Sequence, residues 1–221
     1  MKPIVKICGL TTEETLDAAI HAGADMVGLV FFPKSPRFLA LDRARALAAR
    51  VGSETEVVVL TVDADDDGLD EIVTAIDPDW IQLHGAETAE RVTAVRRRFG
   101  RPVMKAVGIA SAADLAVAEA YIEVADRLVL DAKPPADAAR PGGLGRPFDW
   151  TVLAGFDPAI PWLLSGGLRP GNVAEALAVS GASGVDVSSG VETAPGVKDA
   201  GLIRAFVAAA RHAPAITPVT P

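Results

Sequence analysis

A single α/β domain closed into a (β/α)8 barrel is the fold this chain predicts, and three observations predict it. Eight short apolar runs rich in β-branched residues alternate with longer amphipathic stretches, the pattern of βαβ units sharing a parallel sheet. The runs are continuously apolar rather than alternating, as expected of strands covered on both faces. The 221 residues leave roughly 28 for each unit, close to the small end of a fold whose typical size is ~250.

The first strand is expected at residues 3–8 and its helix at 12–22, where Thr11 or Thr12 can cap and Glu13 and Glu14 place acid in the first turn. The second unit pairs a strand at 26–31 with a helix at 40–51, and the third a strand at 56–62 with a helix at 68–76. Between those last two, the acidic run 63–67 reads as a solvated loop or helix start. A strand at 80–83 with a helix at 86–97, and one at 103–106 with a helix at 112–124, form units four and five. The sixth departs from the pattern, because its strand at 127–131 is followed by a stretch, 132–145, rich in Pro, Ala and Gly. Only a short helix at 149–154, capped by Asp149, can follow, and so long a loop at the carboxyl end of a strand favours function. Strands at 162–165 and 184–187, with helices at 171–179 and 198–211, complete the count. The barrel is thus assigned residues 1–212, and 213–221, with three prolines, a flexible C-terminal tail.

Composition excludes several function classes. Half the residues are hydrophobic (50%) and 23% are charged, too apolar a mixture for a disordered chain. The net charge of −8 and the lack of a basic stripe interleaved with aromatics argue against nucleic acid as a partner. A small anion is another matter, since backbone N–H groups can hold one locally against an unfavourable overall charge. Cys8 is the sole cysteine, so no intrachain disulfide or multi-thiolate cluster is possible, which suits a reducing compartment. With no apolar span of ~20 residues for a bilayer and a strand-like run from the start, the chain reads as cytoplasmic and without a membrane partner.

Active sites of such barrels form at the carboxyl ends of the strands, which directs attention to four places. Cys8 ends the first strand; it reads either as a small core hydrophobe or, with Gly9 ending the strand at the mouth, as a thiol base. Asp131 ends the sixth strand and reads either as a solvated loop carboxylate or as a desolvated general acid. Three glycine clusters, Gly142-Gly143-Leu144-Gly145, Ser165-Gly166-Gly167 and Ser188-Ser189-Gly190, follow strands six, seven and eight. Each alone is a turn, but on adjacent loops they offer unobstructed amides to a phosphorylated small molecule. Arg37 lies in the loop after the second strand, as a solvated charge or as a bidentate partner for a planar carboxylate. His84, after the fourth strand, reads mainly as a structural residue bonding a loop carbonyl, and Trp80, Trp150 and Trp162 as core.

Taken together, these segments resemble the phosphoribosylanthranilate isomerases of tryptophan biosynthesis. The resembling pieces are Lys6-Ile7-Cys8-Gly9-Leu10, Gly23-Ala24-Asp25, Ser35-Pro36-Arg37, Ile81-Gln82-Leu83-His84-Gly85, Leu130-Asp131, Ser165-Gly166-Gly167-Leu168 and Val185-Asp186-Val187-Ser188-Ser189-Gly190-Val191-Glu192. The stretch Gly142-Gly143-Leu144-Gly145-Arg146-Pro147-Phe148-Asp149-Trp150 adds to them, so the likeness covers nearly the whole chain. It implies an aldose-ketose isomerase that performs an Amadori rearrangement with neither cofactor nor metal, as a monomer or homodimer. On that resemblance Asp131 is the acid that protonates the ribose ring oxygen and Cys8 the base that takes the proton from the adjacent carbon. Arg37 would orient the anthranilate carboxylate, with His84 among the substrate-binding residues, and Gly143, Gly145, Gly166, Gly167, Ser188, Ser189 and Gly190 would hold the phosphate. The chain departs from the family in having Gly143-Leu144-Gly145-Arg146 for the usual Gly-Thr-Gly-Lys, and in lacking the usual Gly and Asn around the third strand.

Two rival readings are an indole-glycerol-phosphate synthase, which is expected to need a catalytic lysine at a strand end and an N-terminal extension, and a noncatalytic phosphometabolite-binding barrel. Against the first, the first strand begins at about residue 3 and Lys6 lies short of its end; the second does not explain why both Cys8 and Asp131 are present.

Overall fold

Runs such as Met26-Val27-Gly28-Leu29-Val30 send apolar side chains to both faces of a strand, so both faces must be covered. Closing the sheet on itself inside a ring of helices satisfies this, and the computed structural model, which describes residues 2–134, 142 and 148–213, has that architecture. The parallel strands β1 (Ile4–Cys8), β2 (Met26–Val30), β3 (Glu56–Thr61), β4 (Trp80–Leu83), β5 (Val103–Ile109), β6 (Arg127–Ala132), β7 (Trp162–Leu164) and β8 (Gly184–Val187) pair in chain order. The ring closes where β8 pairs with β1, setting Lys6 beside Asp186.

Helices α1 (Glu13–His21), α2 (Leu41–Ala48), α3 (Asp66–Ile76), α4 (Ala89–Phe99), α5 (Leu115–Glu119), α6 (Val173–Ser180) and α7 (Ala200–Arg211) cover the outside. Leu16, Leu47, Leu69, Val92, Leu177 and Phe206 bury their side chains against Val5, Ile7, Val27, Val59, Ile81 and Val185 of the sheet. Each aliphatic side chain so withdrawn from water stabilises the fold by about 1.5–3 kcal/mol. Because side chains alternate along a strand, the intervening residues fill the barrel. Met26, Val58, Met104, Ala106, Val129 and Leu163 make a separate inner cluster, and Cys8, Val30 and Leu60 a third.

All eight expected strands form, with β5 extending past its expected end to Ile109. Thr12 caps α1 by accepting from Thr15 N–H, and Asp149 accepts from Thr151 N–H as expected. Three expectations need correction. The fifth helix breaks into a 3-10 turn (Ala112–Asp114) and five residues of α5, because the Tyr121 hydroxyl is drawn aside to donate to Glu87 O at 3.0 Å. The sixth is only a 3-10 turn, Trp150–Leu153. Lys198 does not open the last helix: a 3-10 turn (Ser189–Val191) and an antiparallel hairpin, β9 (Glu192–Ala194) and β10 (Val197–Lys198), intervene, and Asp199 caps α7. From residue 214 the expected tail lies outside the described residues.

Candidate active site

Position on β1 decides what Cys8 can do. Val5 and Ile7 face the helices, so Lys6 and Cys8 face the barrel interior, with Cys8 at the carboxyl end. Its neighbour across the ladder is Gly28, and a β-carbon there would stand 2.9 Å from Cys8 Sγ, so the glycine makes room for the thiol. Gly9 then turns the chain with φ +78° and lets Arg37 Cδ approach to 2.5 Å of where its own β-carbon would be. Below the thiol, Lys6 Nζ donates to Asp186 Oδ1 at 2.8 Å with both side chains buried. Burial pushes the Cys8 thiol up; Lys6 and, further off, Lys198 pull it back, while Asp186 adds to the rise. For Lys6 burial opposes the charge, yet Asp186 and Cys8 outweigh it and hold the ammonium above its ordinary value. Lys6 is thus committed inside the barrel, which removes it as the strand-end lysine the synthase reading needs.

Asp131 ends the inward row of β6, three strands from β1 in the ring of eight, and so lies across the mouth from Cys8. It is buried, not a solvated loop carboxylate. Its Oδ1 accepts from Ala132 N–H at 2.8 Å, and Oδ2 lies 3.4 Å from His84 Nε2. Gln82 Nε2 donates to His84 Nδ1 at 3.1 Å, which leaves the imidazole proton on Nε2, facing the carboxyl group. The His84 ring therefore bonds Gln82 and meets Asp131; among the described residues it bonds no loop carbonyl, the partner that the sequence suggested. Its loop is pinned by the buried Glu87, whose carboxylate accepts from Gly85 N–H, Asp63 N–H and Lys105 Nζ at 2.8, 2.9 and 2.9 Å. Gly142 closes over the pair: a β-carbon there would be 2.6 Å from Asp131 Oδ2 and 2.8 Å from His84 Nε2.

Arg37 is likewise no solvated loop charge. It is buried, and its Nε and Nη2 donate to Glu192 Oε1 and Oε2 at 2.6 and 2.8 Å. Lys198 Nζ reaches the same carboxylate at 2.6 Å. Burial pushes the Glu192 carboxyl up, but Arg37 and Lys198 together hold it below its ordinary value. Sequence reasoning gave neither Glu192 nor Lys198 a role; an acid closing the Ser-Ser-Gly-Val-Glu motif was the available signal.

The loops after β7 and β8 complete the mouth. Gly166 and Gly167 both turn with positive φ, +87° and +66°, conformations a side chain resists. A β-carbon at Gly166 would lie 2.5 Å from Ala132 N, so the loop lies against the end of β6. Asn172, which the sequence reading missed, holds it by accepting from Arg169 N–H at 2.8 Å and donating to Gly167 O at 3.1 Å. Ser188, Ser189 and Gly190 follow β8, and Gly190 packs so tightly on Leu168 O that no side chain would fit. The loops carrying Gly166, Gly167, Ser188, Ser189 and Gly190 are therefore in contact, while Gly143 and Gly145 lie outside the described residues. Among the described residues no group of three or more His, Cys, Asp or Glu could hold a metal ion, and no helix is long and apolar enough to cross a membrane.

Residues 5–209 match the model of the N-(5'-phosphoribosyl)anthranilate isomerase family. An N-(5'-phosphoribosyl)anthranilate isomerase of Rhodopseudomonas palustris is 60% identical over 211 residues, 96% of this chain and 97% of that one. The phosphoribosylanthranilate isomerase of Thermotoga maritima superposes with a TM-score of 0.84 at 36% identity, covering 94% of this chain and 98% of that one. Another isomerase of this kind, crystallised with reduced 1-(o-carboxyphenylamino)-1-deoxyribulose 5-phosphate, gives 0.83 at 33%, with the same coverage. The likeness runs from β1 into α7 without a gap in the ring of strands, and the chain belongs to the N-(5'-phosphoribosyl)anthranilate isomerase family.

Proposed function

We propose that this protein catalyses the Amadori rearrangement of N-(5'-phosphoribosyl)anthranilate to 1-(2-carboxyphenylamino)-1-deoxyribulose 5-phosphate, a step of tryptophan biosynthesis, by general acid–base catalysis. The observation that carries the reading is the placement of Cys8 and Asp131 at the carboxyl ends of β1 and β6, across one barrel mouth. Asp131, in its acid form, protonates the ribose ring oxygen as the bond from that oxygen to the anomeric carbon breaks and the anilino nitrogen forms a protonated imine. The Cys8 thiolate then removes the proton from the neighbouring carbon, and the electrons flow into the imine to give an enaminol. Moving the hydroxyl proton off and a proton onto the former anomeric carbon yields the aminoketose. His84 Nε2 lies 3.4 Å from Asp131 Oδ2, beside the carboxylate that Asp131 becomes.

Arg37 orients the anthranilate carboxylate, and Gly143, Gly145, Gly166, Gly167, Ser188, Ser189 and Gly190 hold the phosphate through amides and hydroxyls. Every residue invoked comes from one chain, so the chemistry is the same in a monomer or a homodimer. A thiol base works only while reduced, which supports a cytoplasmic site of action. The test is consumption of N-(5'-phosphoribosyl)anthranilate followed by fluorescence. Asp131→Asn and Cys8→Ser should each lose ~10² to 10⁴-fold in kcat while the inhibition constant of inorganic phosphate stays unchanged. Turnover at the wild-type rate in either variant would sink the assignment.

A further inference from the structure

The hairpin after β8 contributes two buried charges and an exposed tip. Glu192 opens β9, Lys198 closes β10, and the two are paired in the ladder, while Thr193, Ala194 and Pro195 are exposed. Lys198 is 1% exposed at its side chain, and its ammonium spends its hydrogen bonds on Glu192 Oε1 at 2.6 Å, Ser188 O at 2.9 Å and Ser188 Oγ at 3.2 Å. Burying an ammonium is costly unless its charge is used. The use is visible in Arg37: a guanidinium held by both oxygens of one carboxylate is locally neutralised, a poor receptor for an incoming anion. Lys198 shares that carboxylate, so Glu192 is divided between two cations and neutralises Arg37 less fully.

We infer that Lys198 is a positioning residue for the reaction assigned above: it ties Glu192, which holds Arg37, to Ser188 at the phosphate end, and shares the Glu192 charge with Arg37. The span between the groups that grip the substrate's two anionic ends is thereby set by one side chain. This rests on the roles proposed for Arg37 and Ser188. Burial draws the Lys198 ammonium down to about 8 against the upward pull of Glu192; the other charged groups facing it are Arg37 and Cys8, with the Lys6–Asp186 pair behind Cys8. Anion binding should therefore weaken as pH rises through about 8.

The probe is reduced 1-(o-carboxyphenylamino)-1-deoxyribulose 5-phosphate, titrated by calorimetry across that range. Lys198→Met should raise its Kd by about tenfold or more while kcat changes less than about threefold. The weakening at high pH should persist in Cys8→Ser, which has no thiol to titrate, and disappear in Lys198→Met. A Kd in Lys198→Met within about twofold of wild type, or a loss confined to kcat, overturns the role. If that variant does not fold, a pH-independent Kd in Cys8→Ser overturns it equally. Failure of the wild-type protein to bind the probe at every pH is a distinct result, which overturns the assigned reaction itself.

Discussion

Replacing Lys6 by methionine removes a charge from beneath the proposed base while nearly keeping the side-chain volume. Two residues along one strand face are about 6.6 Å apart, and at an effective dielectric of about 20 their unit charges interact by about 2.5 kcal/mol. Lys6→Met should therefore raise the pKa of Cys8, because it removes the attraction that opposes burial. The remaining Asp186 carboxylate works in the same direction, since it already pushes the thiol up. The Lys6→Met, Asp186→Asn double variant should shift the thiol less, because the repelling charge leaves with the attracting one. Cys8 is the sole cysteine, so thiolate absorbance against pH reads this one group, and the rise of kcat/KM with pH should move with it. Stability follows a second rule: Lys6→Met strands Asp186 as a buried unpaired charge, costing about 3–5 kcal/mol, and the double variant should recover part of that. A thiol midpoint within about half a unit of wild type in folded Lys6→Met protein would refute the electrostatic reasoning.

Gly28→Ala puts a β-carbon 2.9 Å from Cys8 Sγ and 3.0 Å from Cys8 Cα, so the base must move. Thermal unfolding should show a cost of about 1–3 kcal/mol, while steady-state kinetics should show kcat down by about 10²-fold, since small misplacements weigh heavily on proton transfer. Arg37→Ala should raise KM by about 10 to 100-fold with a smaller change in kcat, the worth of a charge-assisted contact to the anthranilate carboxylate. The reverse pattern would move Arg37 into the chemistry.

What the sequence shows and hides has a physical boundary. Strands were legible because each is an apolar run punctuated by turn residues, and Cys8 and Asp131 because each is the polar residue at which such a run stops. The hairpin β9–β10 was not legible: three and two residues are too few for any period to appear. The Ala-rich stretch after Ser111 reads as one helix by local preference, but tertiary contacts of Tyr121 with Glu87 and with Lys105, 5.5 Å over its ring, override it. The partners of the site residues were hidden for another reason. Lys6 and Asp186 are 180 positions apart and Arg37 and Glu192 are 155 apart, so only closure of the ring brings them together.

That closure also reconciles an acidic chain with a substrate carrying a phosphate and a carboxylate. The surplus of negative charge lies outside, where Glu13, Asp17, Asp66 and Asp70 face solvent beside arginines of neighbouring helices and are screened. At the mouth the ordering reverses. Lys6 is buried against Asp186, and Arg37 and Lys198 share Glu192, in surroundings where water screens poorly, so an anion approaching the loops after β2 and β8 meets desolvated cations. Net charge governs how the whole molecule behaves toward other macromolecules; these few desolvated groups govern what can bind inside the barrel. Raising ionic strength should accordingly weaken the exterior pairs well before it weakens capture of phosphoribosylanthranilate, because a Debye length of about 8 Å acts through water and not through the packed rim.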